Sequence, residues 1–245
     1  MPTHDGGMLA GTYKALRHLE ADLAEHKIKA EVCAPVRGSV LPNVRQATFD
    51  QAMDSGAEFI LTIDSDMHFP PWAARHLIAH DKDCITGMYF MKTPPYNCAH
   101  AMWDTSELDY RTIGMPDSPD ELITVDAIGA GFLMVRAQVL KGIEKPWFRF
   151  WERGVAKRQQ GEDYYFCKKL TDAGKKIHVD PSLQLGHITD SVVTYRDHVM
   201  WRTYMSVRQK AGITEPPSKP EMQGLQFSAM RAMLNDGARI HRPGD

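Results

Sequence analysis

Two aspartates at the end of an apolar segment are the first residues that predict chemistry. Asp64 and Asp66 flank Ser65 and directly follow the apolar segment 59–63. In an extended chain, residues i and i+2 face the same side, so two carboxylates ~7 Å apart can bind one ligand. Paired carboxylates suit a hard divalent cation such as Mg²⁺ or Mn²⁺. Alternatively, the two aspartates turn the chain and cap the next helix.

Further along the chain, two acidic residues and a histidine can contribute to the same chemistry. Glu162 and Asp163 follow Gly161 and open a predicted helix. The helix macrodipole favours acidic residues in a first turn, and this effect alone accounts for them. His187 follows a predicted strand and a turn. Histidine binds Mn²⁺ readily and can complete a site begun by two aspartates, whereas a lone histidine there has a structural or solvent-exposed role.

Two features near the N-terminus can contact a nucleotide. Segment 2–7 (PTHDGG) is a glycine-bearing loop before a predicted helix. It is neither a P-loop nor the GxGxxG fingerprint, because no Gly-Lys-Ser/Thr follows and the glycine spacing differs. Arg45 is able to bind phosphate, and it is equally typical of a solvated helix surface.

A framework of buried strands and helices must bring these residues together. Apolar residues at three- and four-residue spacing predict helices over 12–27, 42–53, 72–80, 138–143, 162–173, 195–211 and 222–235. Short apolar segments predict strands over 30–34, 59–63, 84–90, 125–135 and 176–179, with a hairpin within 97–120. This alternation predicts one α/β domain over 1–190 and a helical C-terminal extension over 191–245.

Composition excludes several classes of protein. The chain has 245 residues, of which 43% are hydrophobic and 24% charged, so it can bury a core and is not wholly disordered. A formal net charge of -2 disfavours a charge-driven nucleic-acid binder, although a local basic patch remains open. No apolar segment approaches the ~18 residues of a membrane helix, and the start lacks the pattern of a signal peptide.

The cysteines indicate a reducing compartment. Four cysteines lie far apart, with no CxxC pair and no Cys/His spacing typical of a zinc site. We therefore expect reduced thiols in a cytoplasmic protein.

The order of the motifs is more specific than any one of them. The segments 2–6 (PTHDG), 41–46 (LPNVRQ), 59–71 (FILTIDSDMHFPP), 125–136 (VDAIGAGFLMVR) and 161–188 (GED to GHI) follow one another. This order resembles the GT-A glycosyltransferases, especially small phage and bacterial members, over residues 1–188. The resemblance implies a Rossmann-like domain with a mixed, mostly parallel central sheet.

The resemblance also implies roles for the metal and for the reacting groups. IDSD is similar to the family's DxD motif, so Asp64, Asp66 and His187 would form the site for Mn²⁺ or Mg²⁺. Asp66 and His187 would bind the cation directly, and Asp64 would contact the ribose or the metal through water. Glu162 or Asp163 would face the acceptor hydroxyl or the donor sugar. Asp163 is the candidate general base if the reaction inverts configuration, and it would orient or stabilise if configuration is retained.

The same resemblance implies contacts to the donor. The residues beside the nucleotide would be Thr3, Asp5 and Arg45, and those lining the sugar pocket would be Gly129, Ala130 and Gly131. The donor would be a nucleotide diphosphate-sugar, and UDP is the commonest nucleotide of this family. In the family a strand precedes the PT loop, whereas this chain begins at Met1-Pro2. We therefore expect an N-terminally shortened form that lacks a central strand.

The sequence thus predicts a metal-dependent transferase that moves a sugar to an acceptor hydroxyl. The alternatives are a metal-dependent nucleotidyltransferase and a non-catalytic module that binds nucleotide-sugars. The acceptor is open among a modified DNA base, a glycan and a small glycoside. A basic C-terminal tail would contact DNA phosphates or form a solvated helix pair. Its basic residues are Arg196, Arg202, Arg208, Lys210, Arg231, Arg239 and Arg242.

Overall fold

A computed structural model describes residues 2–3, 8–33, 36–114, 118, 120–153, 158–189, 192–213 and 217. The helices are α1 (Ala10–Glu25), α2 (Leu41–Asp54), α3 (Ala73–Ala79), α4 (Ala137–Leu140), α5 (Glu162–Asp172) and α6 (Tyr195–Lys210). The strands are β1 (Pro2–Thr3), β2 (Val36–Arg37), β3 (Phe59–Ile63), β4 (Met67–His68), β5 (Cys84–Met88), β6 (His100–Asp104), β7 (Asp109–Thr112), β8 (Ile123–Val125), β9 (Ala127–Ile128), β10 (Phe132–Arg136), β11 (Trp151–Arg153), β12 (Arg158–Gln160), β13 (Ile177–Gln184), β14 (Gly186–Ile188) and β15 (Val192–Val193).

The central sheet is mixed, with the strand order β3-β10-β5-β13-β8. β5 and β13 pair in parallel, whereas β10 is antiparallel to both β3 and β5, and β8 is antiparallel to β13. The prediction of a mixed α/β sheet is confirmed. The prediction that the sheet is mostly parallel is wrong, because three of these four pairings are antiparallel. Between β5 and β10 the described chain forms further strands rather than the helix that usually connects parallel neighbours, and β10 runs against both of its partners.

Helices cover both faces of this sheet. Along β10, Leu133 and Val135 pack into one apolar cluster together with Phe49 of α2 and Phe166 of α5. The alternate residues of β10 face a second cluster built on α1 and α3. Because successive side chains of a strand point to opposite faces, the buried strands join two cores into a three-layer structure.

Two predicted segments contain more strands than the sequence predicts. The hairpin predicted within 97–120 is confirmed as β6 and β7, and β9 adds to its other side. The single strand predicted over 125–135 divides into β8, β9 and β10. The break between β9 and β10 falls at residues 129–131, where the backbone passes close to Tyr89.

The N-terminal strand β1 lies within segment 2–7, which the sequence predicts to contact a nucleotide. β1 pairs in parallel with β2. The strand predicted over 30–34 is wrong for residues 30–33, which form no regular element, and residue 34 lies outside the described residues. Within the described part of the central sheet, β3 is an edge strand with β10 as its partner. That a further strand precedes this chain stays a prediction.

At the other end of the described chain, α6 confirms the helix predicted over 195–211. It begins with a capping box in which Thr194 and Asp197 exchange hydrogen bonds. Arg208 is buried against Tyr204, so it is not the exposed tail residue that the sequence predicted. The helix predicted over 222–235 lies outside the described residues. Within those residues, no helix combines the length and apolar character that crossing a bilayer requires.

Candidate active site

The turn that carries the two aspartates is fixed at the carboxyl end of β3. The Asp64 backbone N–H donates to the Gly131 carbonyl at 2.8 Å, and the Met67 N–H closes the turn on the Asp64 carbonyl. The Asp66 carbonyl accepts a hydrogen bond of 2.7 Å from the Ile188 N–H. Backbone contacts to Gly131, just before β10, and to β14 therefore hold the turn. Ligands of α/β sheets bind at this end of the strands.

His187 reaches the turn because β14 pairs with β4. His187 Nδ1 lies 3.0 Å from the Phe90 carbonyl, and His187 Nε2 lies 3.5 Å from Asp66 Oδ1. Since a carbonyl only accepts, Nδ1 donates its proton to Phe90, and this hydrogen bond leaves Nε2 directed at Asp66. A side chain at the neighbouring Gly186 would lie 2.5 Å from Val192, so this approach of the strands requires glycine.

Asp66 has a second partner that the sequence did not predict. The Lys92 ammonium forms an ion pair with Asp66 Oδ2. Burial alone raises the pKa of Asp66, but the contacts with His187 and Lys92 outweigh burial and lower that pKa to about 2. Asp66 is therefore an anion at neutral pH.

Arg45 joins Asp64 to Glu162 in the interior. Its two terminal nitrogens each lie 3.0 Å from a carboxylate oxygen of Asp64, and its Nε donates to Glu162 Oε1 at 2.7 Å. Arg45 and Glu162 are each only 4% exposed. The two carboxylates outweigh the cost of burial and raise the pKa of Arg45, so the guanidinium stays charged and holds both acidic groups.

Asp163 differs from its neighbour Glu162 because no cation among the described residues forms an ion pair with it. Its Oδ1 accepts a hydrogen bond of 2.8 Å from the Tyr164 N–H. Burial, followed by repulsion from Glu162, raises the pKa of Asp163 to about 6, although Arg45 opposes this shift. A carboxyl group with a pKa near neutrality can exchange protons at the pH of a cell.

The loop at 129–131 is buried beneath this edge of the sheet. The Gly131 N–H donates to the Tyr89 hydroxyl at 3.0 Å, and the Ala130 carbonyl accepts a hydrogen bond of 2.7 Å from Thr62. A Cβ atom at Gly129 would overlap the Tyr89 hydroxyl. The glycine-rich backbone is thus explained by close packing against Tyr89, and its contact with a donor sugar stays a prediction.

The structure gathers many of the predicted residues. We use the name strand-end site for six residues: Arg45, Asp64, Asp66, Lys92, Glu162 and His187. Sequence reasoning found five of these and missed Lys92, although a lysine shortly after β5 lies where strand ends converge. The Thr3 backbone lies in β1, but its side chain and Asp5 lie outside the described residues.

A second group of polar side chains was also missed. His76, His80 and Asp180 place three potential metal-binding atoms within 4.8 Å of one another. The i,i+4 spacing of the histidines on a predicted helix was a visible signal. The four cysteines form no disulfide.

The comparisons with known proteins found likeness only among solved structures. No family model matches the chain, and no curated protein matches its sequence. The structure is similar to that of A197 from STIV, with a TM-score of 0.49 and 17% identity over 77% of this chain and 83% of that one. It is also similar to GalNAc-T7, solved with UDP, GalNAc and Mn²⁺, with a TM-score of 0.43 and 16% identity over 70% of this chain and 35% of that one. Because both TM-scores are below 0.5, the proposal below is based on the geometry of the site.

Proposed function

We propose that this chain is a metal-dependent glycosyltransferase that moves a sugar from a nucleotide diphosphate-sugar to an acceptor hydroxyl. The observation that carries the proposal is the meeting of Asp66 with the Nε2 atom of His187 at the carboxyl end of the sheet. Both atoms can contribute a lone pair and they lie 3.5 Å apart, so one cation could be bound by both of them.

The donor set of the strand-end site fits a divalent cation. Asp66 and His187 would hold it, and Asp64 would contact it through water or bind the ribose. An imidazole ligand favours Mn²⁺ over Mg²⁺, because Mg²⁺ prefers oxygen ligands. The hydrogen bond from Nδ1 to Phe90 fixes the ring in the orientation and tautomer that ligation needs. When bound, the cation would supply Lewis-acid stabilisation of the departing diphosphate.

The other residues of the strand-end site have roles that follow from their charges. Arg45 holds Asp64 in place through two parallel hydrogen bonds, and Glu162 anchors Arg45 from the other side. Lys92 forms an ion pair with Asp66. If a cation were bound at Asp66, the Lys92 ammonium could contact the negative diphosphate.

We further propose that Asp163 takes the proton of the acceptor hydroxyl if the reaction inverts configuration. Its raised pKa, about 6, makes it a stronger base than an ordinary carboxylate while leaving it ionised at neutral pH. If configuration is retained, the same anion would stabilise positive charge that develops on the sugar. Thr3 and Asp5 would bind the nucleotide, and residues 129–131 would line the sugar pocket.

Hydrolysis of donors tests this proposal without knowledge of the acceptor. The purified chain is incubated with a panel of nucleotide-sugars and Mn²⁺, and release of nucleoside diphosphate is measured. We expect slow turnover of one donor that stops when the metal is chelated. Asp66→Ala should lower the rate by about 10³-fold, since a metal contributes several kcal/mol to such a step.

Asp172→Ala is the matched control, because Asp172 is an exposed aspartate on α5 that pairs with Lys168. Its rate should equal that of the wild type. If the folded wild type turns over no donor but binds one, the chain is a binding module. If the chain instead converts a nucleotide-sugar and added pyrophosphate to nucleoside triphosphate and sugar 1-phosphate, it is a nucleotidyltransferase.

A further inference from the structure

His76, His80 and Asp180 form a second cluster, which we call the α3–β13 triad. His76 Nε2 lies 2.6 Å from Asp180 Oδ2, and His80 Nε2 lies 2.8 Å from the same oxygen. The two imidazole rings meet nearly edge to face, with their centroids 5.0 Å apart. The triad shares no residue with the strand-end site.

The framework around the triad holds each of its side chains. His76 lies in the last turn of α3 and His80 is the C-cap residue of that helix, so the i,i+4 spacing places them on the same face. Trp72 packs edge-on against His76. The Asp180 side chain is only 3% exposed. Its second oxygen, Oδ1, accepts hydrogen bonds from the Ser182 backbone N–H at 2.9 Å and from the Ser182 hydroxyl at 2.6 Å. Asp180 is therefore held with one oxygen directed at both imidazoles.

We propose that the α3–β13 triad binds a divalent transition-metal ion of the Zn²⁺ class. Two imidazole nitrogens and one carboxylate oxygen are ligands that Zn²⁺ prefers, whereas Mg²⁺ and Ca²⁺ prefer oxygen alone. Each histidine side chain is 29% exposed, which leaves an approach for the ion and for water as a fourth ligand. The Ser182 hydrogen bonds orient the carboxylate as second-shell partners do in metal sites.

The position of the triad in the fold gives such an ion a structural role. α3 follows the turn that carries Asp66, and β13 leads into β14, which carries His187. These two segments meet directly where β4 pairs with β14. An ion at the triad would join α3 to β13 and thereby stabilise the two segments that bring Asp66 to His187.

Zn²⁺ binding by the whole chain tests this proposal directly. Isothermal titration with Zn²⁺ compares the wild type with His76→Gln, His80→Gln and Asp180→Asn. Glutamine removes the imidazole ligand but keeps an N–H that can donate to Asp180. We expect one tight site in the wild type, at least tenfold weaker binding in each triad variant, and a Zn²⁺-dependent rise in Tm only where binding survives.

Two controls separate the triad from other histidines. His18→Gln changes an exposed histidine on α1, and His187→Ala removes the histidine of the strand-end site. Both variants should retain the tight Zn²⁺ site. The proposal is overturned if the wild type binds no Zn²⁺, if His187→Ala removes the tight site, or if the triad variants bind as the wild type does.

A measurement that needs no triad variant covers the case in which such a variant does not fold. Co²⁺ replaces Zn²⁺ readily and reports its ligands through visible absorption. Intense bands of four- or five-coordinate Co²⁺, abolished by an equivalent of Zn²⁺, would support the triad, and these bands should persist in His187→Ala. If only the weak bands of hydrated Co²⁺ are seen, the histidines and Asp180 form a hydrogen-bonded link without metal.

Discussion

The strand-end site and the α3–β13 triad both pair a carboxylate with histidine, but the other partners of their carboxylates differ. In the triad, two imidazoles lie within 2.8 Å of one buried carboxylate oxygen. In the strand-end site, His187 stays 3.5 Å from Asp66, and Lys92 and Arg45 provide the positive charge for the aspartates. The triad thus gathers its three potential metal ligands around one oxygen of Asp180, whereas the aspartates of the strand-end site are paired with cationic side chains of the chain.

Two carboxyl groups, one in the strand-end site and one beside Glu162, have widely different pKa values. Asp66 has a pKa of about 2 because His187 and Lys92 contact it, despite its burial. Asp163 has a pKa of about 6 because burial and Glu162 disfavour its charge. Titratable groups whose surroundings separate their pKa values are typical of acid–base catalysis. Asp66 is therefore suited to bind a cation, whereas Asp163 can accept a proton near neutral pH.

The largest expected effect comes from removing the proposed base. Asp163→Asn keeps the size of the side chain but removes the group that accepts a proton. Sugar transfer should fall by about 10²–10⁴-fold, while binding of the donor stays within a few-fold of the wild type. Steady-state rates with an identified acceptor, together with titration of the nucleotide, measure both quantities.

If Asp163→Asn weakens donor binding as much as it lowers the rate, Asp163 is a binding residue. The variant Asp172→Ala serves as the control on the same helix, since Asp172 is exposed.

The next largest effect concerns stability, because Arg45 is buried between two acidic groups. Arg45→Met leaves Glu162 charged and without its cation in the interior, which typically costs about 3–5 kcal/mol. Urea unfolding followed by circular dichroism measures the free energy of unfolding. The matched variant is Arg75→Met, which breaks the half-exposed ion pair of Arg75 with Asp22 and should cost about 0–1 kcal/mol. Equal losses in both variants would refute the structural role of Arg45.

The pH dependence of the reaction should follow Asp163. The base must be deprotonated, and its pKa in the folded chain is raised to about 6. Activity is therefore present above this pH and falls as the pH drops through it, by about tenfold per unit at lower pH. A profile of kcat/KM between mildly acidic and neutral pH checks this expectation. A limb at the ordinary pKa of an aspartate would show that Asp163 is not the group that titrates.

The smallest expected effect comes from Lys92, which competes with a cation for Asp66. Its side chain is 38% exposed, so the pair contributes about 0.2–1 kcal/mol. Lys92→Met should therefore strengthen Mn²⁺ binding by about 1.4- to 5-fold in the absence of nucleotide. Lys168→Met, which breaks an exposed pair on α5, should leave Mn²⁺ affinity unchanged. Weaker Mn²⁺ binding in Lys92→Met would mean that Lys92 helps to form the cation site.

Much of the framework could be predicted because its signals are local. The apolar segment 59–63 and the helix opened by Glu162 depend on residues close in sequence, and the structure places both as expected. The direction of β10 could not be predicted in this way. The apolar pattern of β10 is the same for either strand direction, and the chain reaches β10 through β6–β9 rather than through a crossover helix.

The charges of the site were harder to predict than its position. Asp66 and His187 were expected to meet, and they do. The contact of Arg45 with both Asp64 and Glu162 depends on three segments distant in sequence, and no local pattern encodes it. The sequence also gave no measure of burial at Asp163, on which its raised pKa depends. The spacing of His76 and His80 was visible, but their partner Asp180 was not.

The most direct test of the central claim is the effect of Mn²⁺ on the binding of nucleoside diphosphates. The Kd of each member of a panel is measured with and without Mn²⁺ in the wild type, Asp66→Ala and His80→Gln. We expect Mn²⁺ to tighten the binding of at least one nucleotide tenfold or more in the wild type and in His80→Gln, but not in Asp66→Ala. Kd values that do not change with Mn²⁺, or that change equally in Asp66→Ala and in the wild type, would contradict a cation site at Asp66 and His187.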